Sequence, residues 1–466
     1  MIKLKIQNTL GNTKEDFIPI DKSHVRIYAC GPTVYNYAHI GNARMAVVND
    51  LLVRFLKLIY PKVTYVSNIT DIDDKIIDVS LNTNTPLEKI TRKFEKIYNE
   101  DMAALGVLQP DIQPRATEHI DQMIELTKKL ILKGYAYEKN KHVLFHVPLF
   151  KKYGCLSKRN RDEQIVGSRV EIAPFKKDPT DFILWKPSPD PLPGWDSPWG
   201  YGRPGWHLEC SAMSEKTLGL PFDIHSGGMD LTFPHHENEI AQSCAAHKKN
   251  EDPKYFAKYW FHNGFVIVDG EKMSKSLGNI KLVHDLIKNY SGEVLRLTLL
   301  SAHYRQPLNW TIDSIRQNQA MLDRFYRVLH ELSDIKIDID SYNIPNKVFE
   351  ALCDDINTPK ALAELNLLAN NTTNADQNEK KRIKGEMLAA GKLIGILQRS
   401  PAEWLGYGYS KTLNSQTIEN LIKNRNEARR NKDFKLADSI RKELKNKGIE
   451  IEDKKDETIW RSINKN

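Results

Sequence analysis

Tyr28 to Arg44, YACGPTVYNYAHIGNAR, is the stretch that decides the fold. A cysteine stands at a strand end, a Gly-Pro turn follows, and two tyrosines lead into His39-Ile40-Gly41-Asn42. Upstream, the β-branched and aromatic residues of His24 to Ala29 predict a short strand. Downstream, Met45, Val48, Leu52, Phe55 and Ile59 recur at steps of three and four and predict a helix. A second strand over Lys62 to Ser67 completes a βαβ unit. In an open α/β sheet, the free N–H groups that begin such a helix are where a nucleotide phosphate can bind.

At 466 residues the chain exceeds one simple core, and length suggests roughly three domains. Its 40% hydrophobic and 27% charged residues describe a soluble globular protein. No run approaches about 18 uncharged apolar residues, and MIKLKIQNTLGN lacks an apolar signal core. A cytoplasmic protein with no membrane segment is expected. The net charge of +8 favours a polyanionic partner only mildly, since a solvated basic surface explains it as well. From Lys411 onward, 15 Lys and Arg face 10 Asp and Glu, so this tail holds over half of the excess. Cys30, Cys155, Cys210, Cys244 and Cys353 are odd in number, widely spaced and free of CxxC pairs. They argue for reduced thiols, and any metal site must be assembled from distant segments.

Further along, Asn68 to Lys75 (NITDIDDK) puts Asp71, Asp73 and Asp74 at the end of the second strand, where they either cap the next helix or face a ligand; Thr70 can also face the pocket. Pro86 to Lys133 is helical in period and Tyr135 to Val147 strand-like. Lys151 to Pro204, rich in Gly, Pro and Trp, is too long for a loop and predicts an inserted subdomain. Gly205 to Ser211 opens a helix, Phe222 to His225 is a strand, Ser226 to Asp230 a glycine-rich turn, and Pro234 to Ser243 a helix. Tyr259 to Val268 is strand-rich and runs into EKMSKSLGN. Beyond Leu282 helices predominate, broken at DDINTP (Asp354 to Pro359); Pro401 to Ser415 reads as a linker. The last unit has two charged helices and then the strands IEIED and TIWRS.

Two constellations carry chemistry. His39 can donate a hydrogen bond to a phosphate at the helix start, and Gly41 lets a planar base approach the backbone. About 230 residues later Lys272 and Lys275 of KMSKS supply two ammonium groups suited to developing phosphate charge. The second set is Cys30, Cys210, His235 and Glu239, a mixture of soft, borderline and hard donors that suits zinc. His235 and Glu239 lie four apart and share a helix face; His236, three from Glu239, is a geometric alternative.

HIGN followed by KMSKS resembles the two signature motifs of class I aminoacyl-tRNA synthetases. CGPTVYNYAHIGNAR, NITDIDDKI, GWHLECSAM, GGMDLTFPHHENEIAQS and FHNGFVIVDGEKMSKSLGN together resemble the cysteinyl-tRNA synthetases of bacteria, from about residue 3 to the C-terminus. The resemblance implies a Rossmann-type parallel-sheet catalytic domain with an inserted subdomain, then a helical anticodon-binding bundle and a small mixed C-terminal domain. Its expected boundaries are 1–120 and 205–260 for the two catalytic halves, 121–204 for the insertion, 261–310 for the KMSKS region, 311–405 for the bundle and 406–466 for the tail.

The same resemblance implies ATP, with Mg2+, bound by His39, Gly41, Asn42, Lys272 and Lys275, of which His39 and the two lysines act in catalysis. It further implies one zinc ion on Cys30, Cys210, His235 and Glu239, contacts to L-cysteine from Thr70, Trp206 and Asp230, and tRNA(Cys) as partner of a monomer. Cysteine and serine differ by one atom, which shape alone separates poorly, whereas zinc binds a thiolate and leaves a hydroxyl. The substrate sulfur is therefore expected to join or displace a ligand. Asn42 stands where the commonest form of the motif has a second histidine; its amide can donate but cannot become cationic. Arg425, Arg429, Arg430 and Lys432 either contact tRNA phosphates or form a solvated helix face. A ligase joining cysteine to an amino sugar shares the ATP and zinc chemistry, but it lacks the tail from Lys411.

Overall fold

The computed structural model describes residues 3–167, 175–247, 252–274, 276–407, 413–453 and 458–462. In chain order, β1 (Lys5–Asn8) and β2 (Thr13–Asp16) form an antiparallel hairpin. Then β3 (Val25–Ala29), α1 (Ile40–Ile59) and β4 (Val63–Ser67) make the βαβ unit, with Val25 opposite Val63 and Ala29 opposite Ser67 in a parallel ladder. Four of the five residues of β3 are buried, as expected for a strand covered on both faces.

Next come α2 (Asp74–Thr83), α3 (Leu87–Ala104) and α4 (Ile120–Leu132). The inserted segment contains β5 (Ala136–Lys139), β6 (His142–Phe145), α5 (Arg161–Gly167), β7 (Phe182–Pro187) and β8 (Gly202–Pro204), whose strands form a four-stranded antiparallel sheet. The chain returns through α6 (Trp206–Leu218), β9 (Phe222–Gly228), α7 (Glu237–His247) and β10 (Ala257–Asn263), giving a four-stranded parallel sheet ordered β10-β9-β3-β4. The strand of β9 runs on through Ser226 and Gly228, which the glycines had suggested as a turn; all seven of its residues are buried.

The strand-rich run after Tyr259 is two strands, interrupted at Gly264. A Cβ there would meet the carbonyl oxygens of Arg305 and Gln306 at 2.6 and 2.7 Å, so only glycine lets the chains touch. There follow β11 (Val266–Val268), β12 (Glu271–Lys272), α8 (Val283–Leu286), α9 (Gly292–Leu300) and β13 (Leu308–Trp310), with a small sheet ordered β12-β11-β13.

The remaining elements are α10 (Ile312–Glu331), α11 (Asn346–Cys353), α12 (Thr358–Asn370), α13 (Gln377–Ile394), α14 (Pro401–Leu405), α15 (Ser415–Arg430), α16 (Phe434–Asn446), β14 (Ile449–Asp453) and β15 (Thr458–Ser462). Contacts divide the chain into two compact units, one of Met1–Ile287, Leu299–Thr311 and Glu350–Lys360, the other of Lys288–Thr298, Ile312–Phe349 and Ala361–Asn466. In the first, the DDINTP break presents the buried Asp355 carboxylate, which accepts from the Gln7 N–H, the Tyr304 hydroxyl and Arg305 Nε at 2.7 to 2.8 Å. In the second, the expected linker after Pro401 begins with α14, because Trp404 stacks on Tyr326 at 4.4 Å and donates its indole N–H to Asp323. No described helix is long and apolar enough to cross a membrane.

The tail packs α15 and α16 on the β14–β15 hairpin through Ile418, Ile422, Ile440, Leu444, Ile449, Ile451 and Trp460. Arg425, a candidate phosphate contact, is 3% exposed and donates both guanidinium nitrogens to Asp453 at 2.8 Å. Burial and that fork remove it from any RNA surface; Arg429 reaches the same carboxylate at 2.6 Å. The hydrogen bond from Arg425, helped by Thr458 and Arg429, holds the Asp453 carboxyl well below the usual carboxylate range. Its stabilisation is therefore complete above about pH 4 and is lost as pH falls further, through the folded-state value. Asp453→Asn is expected to destabilise the protein by about 1 to 2 kcal/mol in denaturant unfolding at pH 7, a modest figure because the carboxylate is partly solvated. The gap from wild type should narrow below about pH 4; an unchanged midpoint at pH 7 would show that the pair contributes nothing.

Candidate active site and metal centre

The carboxyl end of the parallel sheet gathers the predicted residues. Cys30 follows β3, and its N–H bonds the Ser226 carbonyl of β9 at 3.2 Å. Gly31 next to it is required by packing, since a Cβ would lie 1.5 Å from the Asn68 carbonyl oxygen. Cys210 comes from the first turns of α6, Glu239 from the first turn of α7, and His235 from the wound turn Thr232–His236 just before α7. The four donor atoms of Cys30, Cys210, His235 and Glu239 all lie within 4.8 Å of one another, and all four residues are buried. The two sulfurs are 3.6 Å apart, and His235 Nε2 stands 3.0 Å from Glu239 Oε1.

Several features fit this set to a metal. His235 Nδ1 lies 2.9 Å from His207 Nδ1, so its buried Nε2 is the ring nitrogen turned toward Cys210 and Glu239. Burial opposes ionisation of Glu239, yet His225 and His235 outweigh it and hold the carboxyl at about 2. The hydrogen bond from Cys30 lowers the Cys210 pKa, whereas burial and the Cys210 sulfur push Cys30 well up. Despite burial, Glu239 and the Cys210 sulfur in turn raise the His235 pKa to about 10, so the ring holds a proton that a bound metal cation would displace.

His236, the geometric alternative, also reaches the cluster. Cys30, His225, His236 and Glu239 form a second set within the same distance limit. His236 Nδ1 is tied to His262 Nε2 at 2.7 Å, and His225 Nε2 lies 2.8 Å from Glu239 Oε2. His225, His207 and His262 escaped the sequence reading. The one signal was His225 closing the strand predicted over Phe222 to His225; in the structure it lies mid-strand in β9 and is fully buried.

Beside the cluster opens a cavity of about 510 Å³, lined by Cys30, Trp206, Asp230, His39, Gly41, Asn42 and Lys272 among others. Trp206 stacks on His235 at 4.2 Å, linking cavity wall and cluster. Thr70 does not line the cavity. It is 2% exposed and donates its hydroxyl to the buried Glu209 at 3.0 Å. Nor do the three aspartates converge there: Asp73 caps α2 through the Lys75 N–H, Asp71 accepts from Arg115 and Thr117, and Asp74 pairs with Lys186 and Arg203.

At the start of α1, His39 Nδ1 accepts the N–H groups of Gly41 and Asn42 at 3.1 and 3.3 Å, and Asn42 Oδ1 accepts the His39 N–H at 3.1 Å. This reciprocal cap fixes the ring tautomer with the proton on Nε2, away from the helix. Burial lowers the His39 pKa, keeping the imidazole a neutral donor. A Cβ on Gly41 would meet the His39 ring at 2.9 Å, so glycine is needed for the ring to fold back. Lys272 reaches the same cavity because the segment after KMSKS pairs with the HIGN segment: Ile40 N–H bonds Lys281 O at 3.0 Å, and Val283 N–H bonds Ala38 O at 2.9 Å. Asn279 ties the loop, accepting the Ser274 N–H and donating to Lys272 O. Lys275 lies outside the described residues.

Comparison with known proteins bears on this arrangement. The family model described as the tRNA synthetases class I (C) catalytic domain matches residues 16–320. A DALR domain matches 347–398, and a cysteinyl-tRNA ligase anticodon binding domain 414–461. The chain is 52% identical over 462 residues to the cysteine–tRNA ligase of Parvibaculum lavamentivorans, covering 99% of this chain and 98% of that protein. It is also 52% identical over 465 residues to that of Rhodospirillum rubrum, with 98% and 99% covered. Among solved structures, the methionyl-tRNA synthetase of Mycobacterium tuberculosis with methionyl-adenylate superposes with a TM-score of 0.58 at 14% identity, over 85% of this chain and 96% of that one; the shared property is the fold.

Asn42→Ala removes the acceptor for the His39 N–H. It is expected to cost about 1 kcal/mol in denaturant unfolding and to slow cysteine-dependent ATP–pyrophosphate exchange through a misoriented His39 ring. Full activity and stability in that variant would show that the cap does not set the ring.

Proposed function

The chain belongs to the cysteine–tRNA ligases of class I, and from that premise we propose how the cavity beside the four-donor cluster divides among their substrates. The protein uses ATP to activate L-cysteine and then attaches it to tRNA(Cys). One observation carries the division: residues of the HIGN and KMSKS segments and a member of the buried cluster line a single cavity.

At the cluster end, Cys30, Cys210, His235 and Glu239 would hold a zinc ion. When bound it supplies a thiolate-selective contact that a serine hydroxyl does not match. Trp206 forms the wall on which the short side chain rests, and Asp230 offers its carboxylate to the substrate ammonium. At the middle, the His39 Nε2–H and the first peptide N–H groups of α1 receive the ATP phosphates from one side and Lys272 from the other. Lys275 is assigned the same role, and Mg2+ accompanies the nucleotide. In-line attack of the cysteine carboxylate on the α-phosphorus then requires mainly alignment and cationic stabilisation of the departing pyrophosphate. At the far end, Gly264, Phe265 and Val266 with Met273, Ile280 and Leu282 offer backbone edges and apolar surface to the adenine.

For tRNA, the region from 414 to 461 supplies the anticodon surface. A cavity of about 610 Å³ beside it sets Tyr407 next to Arg430 and Lys423, an aromatic ring and two cations suited to a splayed base and its phosphates.

Charging of tRNA(Cys) with cysteine and with serine, before and after zinc chelation, tests this reading. Cysteine alone should be accepted, chelation should abolish charging, and added zinc should restore it. Discrimination that survives complete removal of the metal would contradict the assignment.

A further inference from the structure

Arg44, just beyond the HIGN segment, is a fully buried cation with no carboxylate in contact among the described residues. Its guanidinium donates instead to four backbone carbonyls. Nη1 reaches Gly264 O at 2.9 Å and Phe265 O at 2.8 Å; Nη2 reaches His303 O at 3.0 Å and Gln306 O at 2.7 Å. Four carbonyl dipoles converging on one point repel one another unless a cation sits among them. Burial lowers the Arg44 pKa to about 10, so it stays protonated near neutral pH with only those oxygens to replace its water. Two of the four belong to Gly264 and Phe265, which line the cavity, and the other two to the chain packed behind them. The seam between them is tight: Gly264 N–H bonds Tyr304 O at 2.7 Å, and Leu308 N–H bonds Phe265 O at 2.9 Å. Phe265, 45% exposed, turns its side chain outward from this clamped backbone.

We propose that Arg44 is a positioning residue for the nucleotide: it locks Gly264 to Val266, the adenine-facing edge of the cavity, to the helix whose start holds the phosphates. The inference rests on the assignment of the base to that edge. Because one rigid helix carries both His39 and Arg44, phosphate site and base site keep a fixed separation, as in-line attack requires. Arg44 touches no substrate. Its effect reaches ATP only through the carbonyls it holds, so it should fall on ATP and on recognition of its base, not on cysteine.

The test uses the full zinc-loaded chain in cysteine-dependent ATP–pyrophosphate exchange. Arg44→Lys keeps the charge but cannot fork to four carbonyls. The KM for ATP should rise about tenfold or more, and the preference for ATP over GTP should fall several-fold, while KM for cysteine and zinc content stay within about twofold. An unchanged ATP-to-GTP preference, or an equal loss on cysteine, overturns the proposal. Should Arg44→Lys not fold, Gly264→Ala decides, since it spreads the same seam with Arg44 intact and should show the same ATP-selective loss. Phe265→Ala separates the two readings. If it raises the ATP KM and the Arg44 variant does not, the base site stands and the role of Arg44 falls. If neither moves it, the base site itself is misplaced.

Discussion

The parallel pairing of β3 with β9 is the constraint on which the site depends. It fixes the Cys30 N–H on Ser226 O and sets Tyr28 opposite His225, so the sulfur of one strand's end and the histidine of the next meet above the sheet edge. With that ladder in place, α6 and the turn before α7 need only enter from the same edge to deliver Cys210, His235 and Glu239. Four donors separated by up to 209 residues in sequence thereby become neighbours. A buried sulfur pair beside a carboxylate is unfavourable by itself, and the histidines around it offset that cost.

A second set of backbone bonds unites the nucleotide motifs. HIGN and KMSKS are far apart in the chain, and Lys272 belongs to a two-residue strand with little burial of its own. Pairing of Lys281 to Val283 with Ala38 to Ile40 brings that loop to the start of α1. Arg44 works one turn further along the same helix, on the opposite wall. One helix start thus ends up referenced to both walls of the cavity.

Local chemistry was legible in the sequence where a few adjacent residues specify it. The strand and helix around Cys30 and the terminal strands IEIED and TIWRS appear within a few residues of their expected positions, and helices predominate beyond Leu282, because periodicity and turn residues act over short distances. The four-donor set could be named from resemblance and is brought together in space. What stayed hidden depends on distant partners. Arg425 read as a surface cation because nothing near it in sequence announces Asp453. Thr70 read as a ligand contact because its partner Glu209 is 139 residues away. Arg44 carries no sequence signal of its own, since its four acceptors are backbone carbonyls without residue identity. The helix at Pro401 was missed because its stability comes from Trp404 against Tyr326 and not from its short length.

The most direct measurement of the central claim is X-ray absorption at the metal edge of the zinc-loaded protein, alone, with cysteine and with serine. Two sulfur scatterers with one nitrogen and one oxygen donor are predicted for the free protein, from Cys30, Cys210, His235 and Glu239. The sulfur signal should change on adding cysteine and not on adding serine. A first shell without the two sulfurs, or one that responds alike to both amino acids, would contradict a metal centre that selects the substrate.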